Sequence, residues 1–207
     1  MKGERTRQSI LEHAVDLASL EGLEGLTIGR LADELGMSKS GLFAHFGSKE
    51  ELQLATIQAA GERFISEVLQ PALREPRGLP RLMAICHSWI EYIGRDVFPG
   101  GCFFAAASFE FDGRPGTVRD AIVKAMDDWI GALERAIVMA QNEGHIDPSV
   151  DAKQLAFELN SLFFGANFSH QLREDKLALE YATKAIESRL AAIRITPSSR
   201  RAASGRR

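Results

Sequence analysis

The chain has 207 residues, of which 45% are hydrophobic and 26% are charged, and its formal net charge is −3. This composition is ordinary for a globular protein of one or two domains, and the net charge alone does not mark a nucleic-acid binder. No apolar run approaches the roughly 20 residues that span a bilayer, so the sequence excludes a membrane-spanning protein. The first residues lack an apolar signal core, and the two cysteines, Cys86 and Cys102, make no disulfide framework. We therefore expect the protein in a reducing cytoplasm.

The first predicted helix spans residues 6–20 and ends near Gly22. Its apolar residues recur every three or four positions, which is the spacing of one helical face. The expected buried stripe consists of Ile10, Leu11, Ala14, Leu17 and Ala18. Alternating runs that would indicate strands are missing, and helical periodicity recurs throughout the chain. The pattern therefore predicts an all-α protein with about nine helices.

Residues 27–52 predict two short helices across a glycine turn, followed by the start of a third helix. Thr27 and Ser38 lie where helix N-caps belong, and Gly36 lies where a helix ends in a left-handed residue. Ser48 and Glu51 form an S-x-x-E capping box, which starts the next helix. Two short helices across a tight turn are the helix-turn-helix plan, whose second helix enters a DNA major groove.

This stretch resembles the DNA-binding domain of the TetR (tetracycline-repressor) family of bacterial transcriptional regulators, through the pattern T-I-x-x-L-A-x-x-L-G-M-S-x-x-x-L-F-x-H-F-x-S-K-E-E-L. The resemblance is close over the first quarter of the chain and rests elsewhere on length and helical character. It implies an N-terminal three-helix DNA-binding domain and a C-terminal helical domain for ligand binding and dimerisation. It also implies a homodimeric repressor that a small, largely apolar effector releases from its operator.

Six further helices are expected after the helix-turn-helix. The fourth helix should run over 49–70, with Pro71 as its stop, and its length suggests that it joins the two domains. The others are expected at about 80–94, 102–111, 117–143, 151–172 and 176–195. The expected domains are therefore 1–50 for DNA binding, 51–196 for ligand binding and dimerisation, and 197–207 as a disordered basic tail.

The recognition helix is expected over residues 38–46, and its first turn carries Lys39, Ser40 and Gly41. Lysine can donate to guanine acceptors, serine can bond to bases or phosphates, and Gly41 permits close backbone approach. The alternative is that Lys39 and Ser40 are solvent-facing helix residues. Thr27 and Lys49 lie at helix starts, where free N–H groups favour an anion such as phosphate.

Arg30 and His45 are further candidates for phosphate contacts, and His45 can equally pack between helices. By the resemblance, Phe43 occupies a position that is more often tyrosine, so a phenolic phosphate contact is missing. Gly29 occupies a position where some members carry a base-reading side chain. The predicted DNA-contacting residues are Thr27, Arg30, Ser38, Lys39, Ser40, Gly41, Phe43, His45 and Lys49.

A homodimer is expected because two copies, about 34 to 36 Å apart, would enter successive major grooves. In family members the last two long helices form the dimer interface. The corresponding apolar residues here are Leu155, Leu159, Leu162, Ala166, Ile186 and Leu190. Gly165 and Ser169 are small enough for close helix approach. The alternative is that these stripes face only the intrachain core, as amphipathic helices normally do.

The second domain is rich in aromatic residues, most of which should be core. With two glycine breaks nearby, they also suggest an apolar cavity with a few polar groups, the usual form of a small-molecule site. The candidate effector-binding residues are Cys86, His87, Trp89, Phe103, Phe104, Trp129, Phe164, Asn167, Phe168 and His170. Effector binding would favour a conformation whose recognition helices no longer match the groove spacing, with the fourth helix carrying the change.

Two other classes of protein are alternatives to this interpretation. A small helical enzyme would use Cys102, or Cys86 with His87, but no catalytic or metal-ligand motif accompanies these residues. No catalytic residue, metal or cofactor is therefore expected. A helix-turn-helix protein without an effector would share the N-terminal domain, and a thermal-shift screen with lipophilic compounds would distinguish it.

Overall fold

The structure is a computed structural model that describes residues 2 to 195, so the predicted tail at 197–207 lies outside the described residues. Within that range the chain forms nine helices, as the sequence predicts, and one isolated antiparallel bridge between Ile146 and Arg194. The helices are α1 (Lys2–Glu21), α2 (Ile28–Leu35), α3 (Lys39–Phe46), α4 (Lys49 to Ala72, in three parts), α5 (Leu79–Gly94), α6 (Phe103–Phe111), α7 (Thr117–Asn142), α8 (Ala152–Gln171) and α9 (Ala178–Ala192).

The winding of α4 changes along its length. It is α-helical over Lys49–Phe64, π-helical over Ile65–Leu69 and α-helical again over Gln70–Ala72. The helix therefore ends just after Pro71 and not before it. A proline is tolerated at the start of a helical segment because its missing N–H has no intrahelical partner there. Short π-helical turns inside α-helices occur frequently at functional sites.

The contacts divide the chain into two compact units. The first unit contains the chain up to Ile65 together with Arg95–Asp127, and the second contains Ser66–Gly94 together with the chain from Asp128 onward. Both α4 and α7 contribute residues to each unit. The first unit is thus larger than the domain 1–50 that the sequence suggests, because it includes α6 and the start of α7. The functional boundary at residue 50 stays a prediction.

The core of the first unit is built on α1, which contacts α2, α4 and α6. The predicted apolar stripe between Ile10 and Ala18 is buried, which confirms the sequence pattern. The carboxylate of Glu110 on α6 accepts hydrogen bonds from the backbone N–H groups of Leu23 and Glu24, at 2.8 and 3.0 Å. Leu23 and Glu24 lie in the loop between α1 and α2, where their N–H groups have no partner within a helix. The two hydrogen bonds satisfy these donors and fix the loop.

A second connection joins α1 to the segment before α6. The N–H of Gly100 donates to Ser19 Oγ at 3.2 Å, and Ser19 Oγ donates to the carbonyl of Asp16 at 2.8 Å. The guanidinium of Arg63 on α4 lies 2.5 Å from the Asp16 carboxylate and 5.1 Å from the centroid of the Phe98 ring. These polar contacts hold the C-terminal half of α1 to α4 and to the segment before α6.

The core of the second unit is formed by α5, α8 and α9, with α9 contacting both of the other helices. Trp89 stacks on Phe163 with ring centroids 4.5 Å apart, and Trp129 lies 5.9 Å from Phe163. At the start of α5, the N–H of Leu79 donates to His145 Nδ1 at 3.2 Å. Side chains from α5 and α7 thus converge on Phe163 of α8, which is fully buried.

Candidate nucleic-acid interface

Each of the three helices that shape the candidate interface begins at a side-chain cap. Thr27, Ser38 and Ser48 each accept a hydrogen bond from the backbone N–H three residues later, at 3.1, 3.1 and 3.0 Å. Gly36 closes α2 in the left-handed conformation, with φ +62°. These are the caps that the sequence predicts. Because capping is local, they fix where α3 begins and how the turn before it bends.

One side of α3 is buried and the other is exposed. Leu42 and Phe46 are buried, and the guanidinium of Arg7 lies 5.1 Å from the centroid of the Phe46 ring. On the opposite side lie four exposed residues, called the α3 face below: Lys39, Ser40, Phe43 and Ala44. This face is the part of the helix-turn-helix that is free to enter a groove.

The first turn of α3 combines an ammonium group with two hydroxyl groups. A Cβ atom built on Gly29 would lie 3.6 Å from Lys39 Nζ, so the ammonium group lies beside the first turn of α2, next to a residue without a side chain. Ser38 Oγ and Ser40 Oγ are 3.3 Å apart. A Cβ built on Gly41 would meet only Ser38 Oγ, at 3.0 Å. The turn therefore offers several hydrogen-bond donors with little steric obstruction.

Two of the predicted phosphate contacts are already engaged in ion pairs. Arg30 Nε and Nη2 lie 2.9 and 2.5 Å from the Glu21 carboxylate, and Arg30 Nη1 lies 2.9 Å from Glu34 Oε2. Lys49 Nζ lies 2.8 Å from Glu24 Oε1. The guanidinium beside Glu21 holds the pKa of that carboxyl below its usual value, and Lys49 does the same for Glu24. The carboxylates therefore stay ionised at neutral pH and compete with phosphate for these cations.

The other two predicted phosphate contacts have different surroundings. Thr27 is half-buried and uses its oxygen as an acceptor, so its hydroxyl hydrogen remains for donation. His45 is also half-buried, and its ring lies 6.3 Å from that of Phe46 at a tilt of 54°. This position is compatible both with packing between helices and with a phosphate contact, so both interpretations of His45 remain.

Two family models match this sequence. The family described as bacterial regulatory proteins, tetR family, matches residues 10–56. The family described as tetracyclin repressor-like, C-terminal domain, matches residues 78–186, which is more than half of the chain. The chain belongs to the tetR family. The helix-turn-helix described above is therefore that of a bacterial regulatory protein.

Individual tetR-family relatives are more distant. TcmR of Streptomyces glaucescens, an HTH-type transcriptional regulator, is 26% identical over 152 residues, which cover 72% of this chain and 61% of TcmR. The chain thus spans less than two thirds of the length of the curated relatives it matches. A TetR transcriptional regulator from Chloroflexus aurantiacus has a solved structure with a TM-score of 0.87 and 24% identity, covering 94% of this chain and 99% of that one. AibR, solved in complex with isovaleryl coenzyme A and operator DNA, has a TM-score of 0.66 and 24% identity over 87% of this chain and 95% of its own. At these identities the structures show a shared fold.

Replacing Glu21 with glutamine is expected to tighten DNA binding by this tetR-family protein and to steepen its salt dependence. The change removes the carboxylate that Arg30 Nε and Nη2 contact, so these two nitrogens become available to a phosphate while Nη1 keeps its contact with Glu34. Each newly neutralised phosphate should add up to about 0.9 to the slope of log affinity against log salt. Fluorescence anisotropy between about 50 and 200 mM salt measures both quantities. The matched control is Glu12→Gln, an exposed position on the same helix. Equal slopes for the two variants would contradict this prediction.

The predicted effector-binding residues do not all fall in one unit. Phe103 and Phe104 belong to the first unit, where the Phe104 ring lies edge-on to Phe64 at 6.0 Å. The other eight belong to the second unit, and of these Cys86, Trp89 and Trp129 are buried. The remaining five are half-buried or exposed: His87, Phe164, Asn167, Phe168 and His170. Their assignment as effector contacts stays a prediction.

In one aromatic cluster of the second unit the side chains already pack against one another. It consists of Trp89, Trp129 and Phe163, and Trp129 Nε1 donates to Asn160 Oδ1 at 3.0 Å. Phe163 and Asn160 were missed by the sequence analysis, and the hydrogen bond between α7 and α8 leaves no signal in a single helix. We call Trp89, Trp129, Asn160 and Phe163 the tryptophan cluster.

The polar residues predicted near an effector have mixed environments. Burial raises the pKa of the Cys86 thiol to about 12, so it stays protonated and is a poor nucleophile at neutral pH. His87 Nε2 lies 3.2 Å from Glu187 Oε1, without the geometry of a hydrogen bond. His170 Nδ1 is buried without a hydrogen-bond partner among the described residues. Among those same residues no group of three or more His, Cys, Asp or Glu side chains is placed to hold a metal ion.

Most of the residues predicted at a dimer interface lie inside the second unit. The five that are buried within the monomer are Leu155, Leu159, Ala166, Ile186 and Leu190. Leu162 is half-buried. A side chain that is already inaccessible in the monomer has no surface left to bury against a partner. The alternative interpretation, that this stripe packs against the chain's own core, therefore describes these five residues.

A different apolar surface, formed by α8, α9 and the residues that join them, is exposed. Its large residues, called the α8–α9 face below, are Phe157, Phe168, Leu172, Leu177 and Tyr181. Tyr181 of this face also lines a groove, together with two charged residues, Arg173 and Asp175, and small residues that include Ser161, Gly165, Ser169 and Ala185. On α8 the signal for this face was present in the sequence as apolar or small residues at spacings of three and four, one or two positions away from the buried stripe.

Among residues 2 to 195 no helix combines the length and the apolar character needed to cross a bilayer.

Proposed function

We propose that this protein is a homodimeric transcriptional repressor whose α3 face binds the major groove of operator DNA and whose release is controlled by a small apolar effector. The observation that carries the proposal is the α3 face, with Lys39 and Ser40 exposed at the start of a capped helix. Family membership and the repressor-like C-terminal match support regulation by repression. The structure of AibR in complex with isovaleryl coenzyme A and operator DNA supports the proposal that one protein of this fold binds both a small molecule and DNA.

The proposed DNA contacts follow from exposure and charge. Lys39 and Ser40 bind base edges, with Gly41 allowing the backbone to approach. Ser38 and Thr27, at helix N-termini, bind phosphate oxygens. Arg30, His45 and Lys49 contact phosphates at the rim of the interface, where Arg30 and Lys49 exchange their carboxylate partners for phosphate.

The proposed dimer forms through the α8–α9 face. Phe168 is 52% exposed on a monomer, and its neighbours on the face are also large and apolar. Gly165 is exposed, and a Cβ built on it meets nothing within 4 Å, so a helix from a second copy can approach closely. An apolar helix surface with a central small residue is suited to packing against its own symmetry mate.

Replacing Phe168 with aspartate is expected to convert the dimer to a monomer. Two copies of the new carboxylate would be desolvated at one interface, so the dimer dissociation constant should rise by at least about 100-fold. Sedimentation velocity over a range of protein concentrations measures this change. The matched control is Phe109→Asp, which alters a residue that is 68% exposed on α6 of the first unit. A dimer that survives Phe168→Asp would place the interface elsewhere.

The proposed effector site is the tryptophan cluster. Its rings are in contact in this structure, so an apolar or aromatic compound must separate them in order to bind. The open site therefore belongs to a minor conformation of the protein, which the bound compound stabilises. The Asn160 oxygen that accepts from Trp129 would then be available to a donor on the effector. A hundredfold loss of DNA affinity on binding needs about 2.7 kcal/mol of coupling between the two sites.

Intrinsic fluorescence should report effector binding directly, because both tryptophans of the chain belong to this cluster. Compounds that raise the melting temperature in a lipophilic library should also shift or quench the emission and lower DNA affinity. Asn160→Ala, which removes the oxygen proposed to accept from the effector, should weaken binding of such a compound by about tenfold. Stabilising compounds that leave both the emission and DNA affinity unchanged would support the alternative of a helix-turn-helix protein without an effector.

The function itself is tested by DNA selection. Purified protein should enrich a related set of sequences from random DNA and should retard the DNA upstream of its own gene in a gel at moderate salt. The selected sites should be palindromic, with half-sites about 10 base pairs apart. Enrichment of no sequence above the random pool would contradict the proposal.

A further inference from the structure

Phe43 is the unusual residue on the α3 face. It is 55% exposed, whereas Leu42 and Phe46 of the same helix are buried. A large aromatic side chain gains little from solvent exposure, and this one lies beside Lys39 on the surface proposed to enter the major groove. The exposed ring of Phe43 is therefore available to contact DNA when α3 lies in the groove.

The α3 face is divided into a polar part and an apolar part. Its first turn carries Lys39 and Ser40, while its second turn carries Phe43 and Ala44. Phe43 is four residues after Lys39, so the two side chains lie on the same side of the helix, one turn apart. A recognition helix inserted by its first turn would place the apolar turn along the same groove.

The chemistry of a phenyl ring limits its partners in DNA. It has no donor for phosphate oxygens and no acceptor for base amino groups. The apolar group that base edges present in the major groove is the C5-methyl of thymine, which aromatic and small aliphatic side chains contact. Ala44, next to Phe43, adds a second apolar surface of the same kind.

We infer that Phe43 is a specificity-determining residue that contacts thymine methyl groups in each half-site. The inference rests on the proposed major-groove binding of α3 and adds to it the base that this residue selects. The operator should accordingly carry thymine at the positions next to those that Lys39 contacts.

The test uses DNA sites selected by the wild-type protein. Each thymine is replaced in turn by uracil, which pairs in the same way and lacks only the C5-methyl group. For the contacted thymines, wild-type affinity should fall about fourfold for one half-site and about fifteenfold for both, as expected for exposing one methyl group per half-site. Anisotropy at constant salt measures the affinities.

The variant Phe43→Ala should bind the thymine site about as weakly as the wild-type protein binds the uracil site, and should not distinguish the two sites. Phe43→Leu, which keeps an apolar side chain, should retain part of the preference for thymine. Phe109→Ala is the control, because it removes another exposed phenylalanine of the first unit away from α3. Melting temperatures verify that the variants are folded.

Four outcomes are distinguishable. Loss of uracil sensitivity in Phe43→Ala alone supports the inference. A wild-type protein that selects DNA but binds every uracil site as tightly as the thymine site overturns it, and would place Phe43 against sugars or phosphates. Uracil sensitivity that persists in Phe43→Ala also overturns it, since another residue would then read the methyl group. Failure to select any DNA would contradict the proposed function instead.

Discussion

Lys39→Glu should reduce affinity for selected DNA by about 10²- to 10⁴-fold, with no change in folding. A good base contact contributes about 1–3 kcal/mol, and a dimer loses two of them. The glutamate also introduces a negative charge near the phosphates of each half-site. Lys39 is exposed, so the substitution disturbs no buried contact.

The matched control for this result is Lys124→Glu, an exposed lysine on α7 in the same unit. It makes the same change in net charge away from the α3 face. Anisotropy measured for both variants at one salt concentration, with melting temperatures by circular dichroism, separates a lost contact from a changed overall charge. Comparable losses of affinity in the two variants would contradict a specific role for Lys39.

Gly100→Ala should destabilise the first unit by at least about 3 kcal/mol, or prevent it from folding. A Cβ atom on this residue would lie 1.8 Å from the carbonyl oxygen of Ser19 and 3.0 Å from the backbone nitrogen of Leu20. Both atoms belong to the backbone of α1, so no side-chain rotation relieves the overlap. The backbone would have to move to relieve the overlap, and this movement would also disrupt the hydrogen bond from the Gly100 N–H to Ser19 Oγ.

DNA binding should fall together with stability in Gly100→Ala, because α1 supports α2 and the end of α3 that holds Phe46. The control is Gly113→Ala, at an exposed glycine of the same unit where a Cβ meets nothing within 4 Å. Its effect should stay within about 0.5 kcal/mol. Chemical denaturation measures both, and a Gly100→Ala protein as stable as Gly113→Ala would contradict the close approach to α1.

Local features of this fold could be predicted from the sequence because a few neighbouring residues determine them. The caps at Thr27, Ser38 and Ser48 each depend on one side chain and a backbone N–H three residues away. The left-handed end of α2 depends on Gly36 alone. The apolar stripe of α1 depends only on helical periodicity. All of these were correct.

Features that depend on distant partners could not be predicted in the same way. Lys49 pairs with Glu24, which lies 25 positions earlier, and nothing in the sequence shows that the two meet. The stripe of Leu155 and Leu159 has the same pattern whether it faces a second copy or its own chain, and only the fold shows that it is buried. The π-helical turn at Ile65–Leu69 likewise leaves no residue pattern that differs from an α-helix.

Dimethyl sulfate footprinting on a selected operator tests most directly whether the α3 face contacts bases in the major groove. The reagent methylates guanine N7 in the major groove and adenine N3 in the minor groove, so it shows which groove the protein occupies. The account predicts two groups of protected guanines about 10 base pairs apart, and loss of that protection with Lys39→Glu at a protein concentration that restores binding. Protection of adenine N3 with unprotected guanine N7 throughout the site would contradict it.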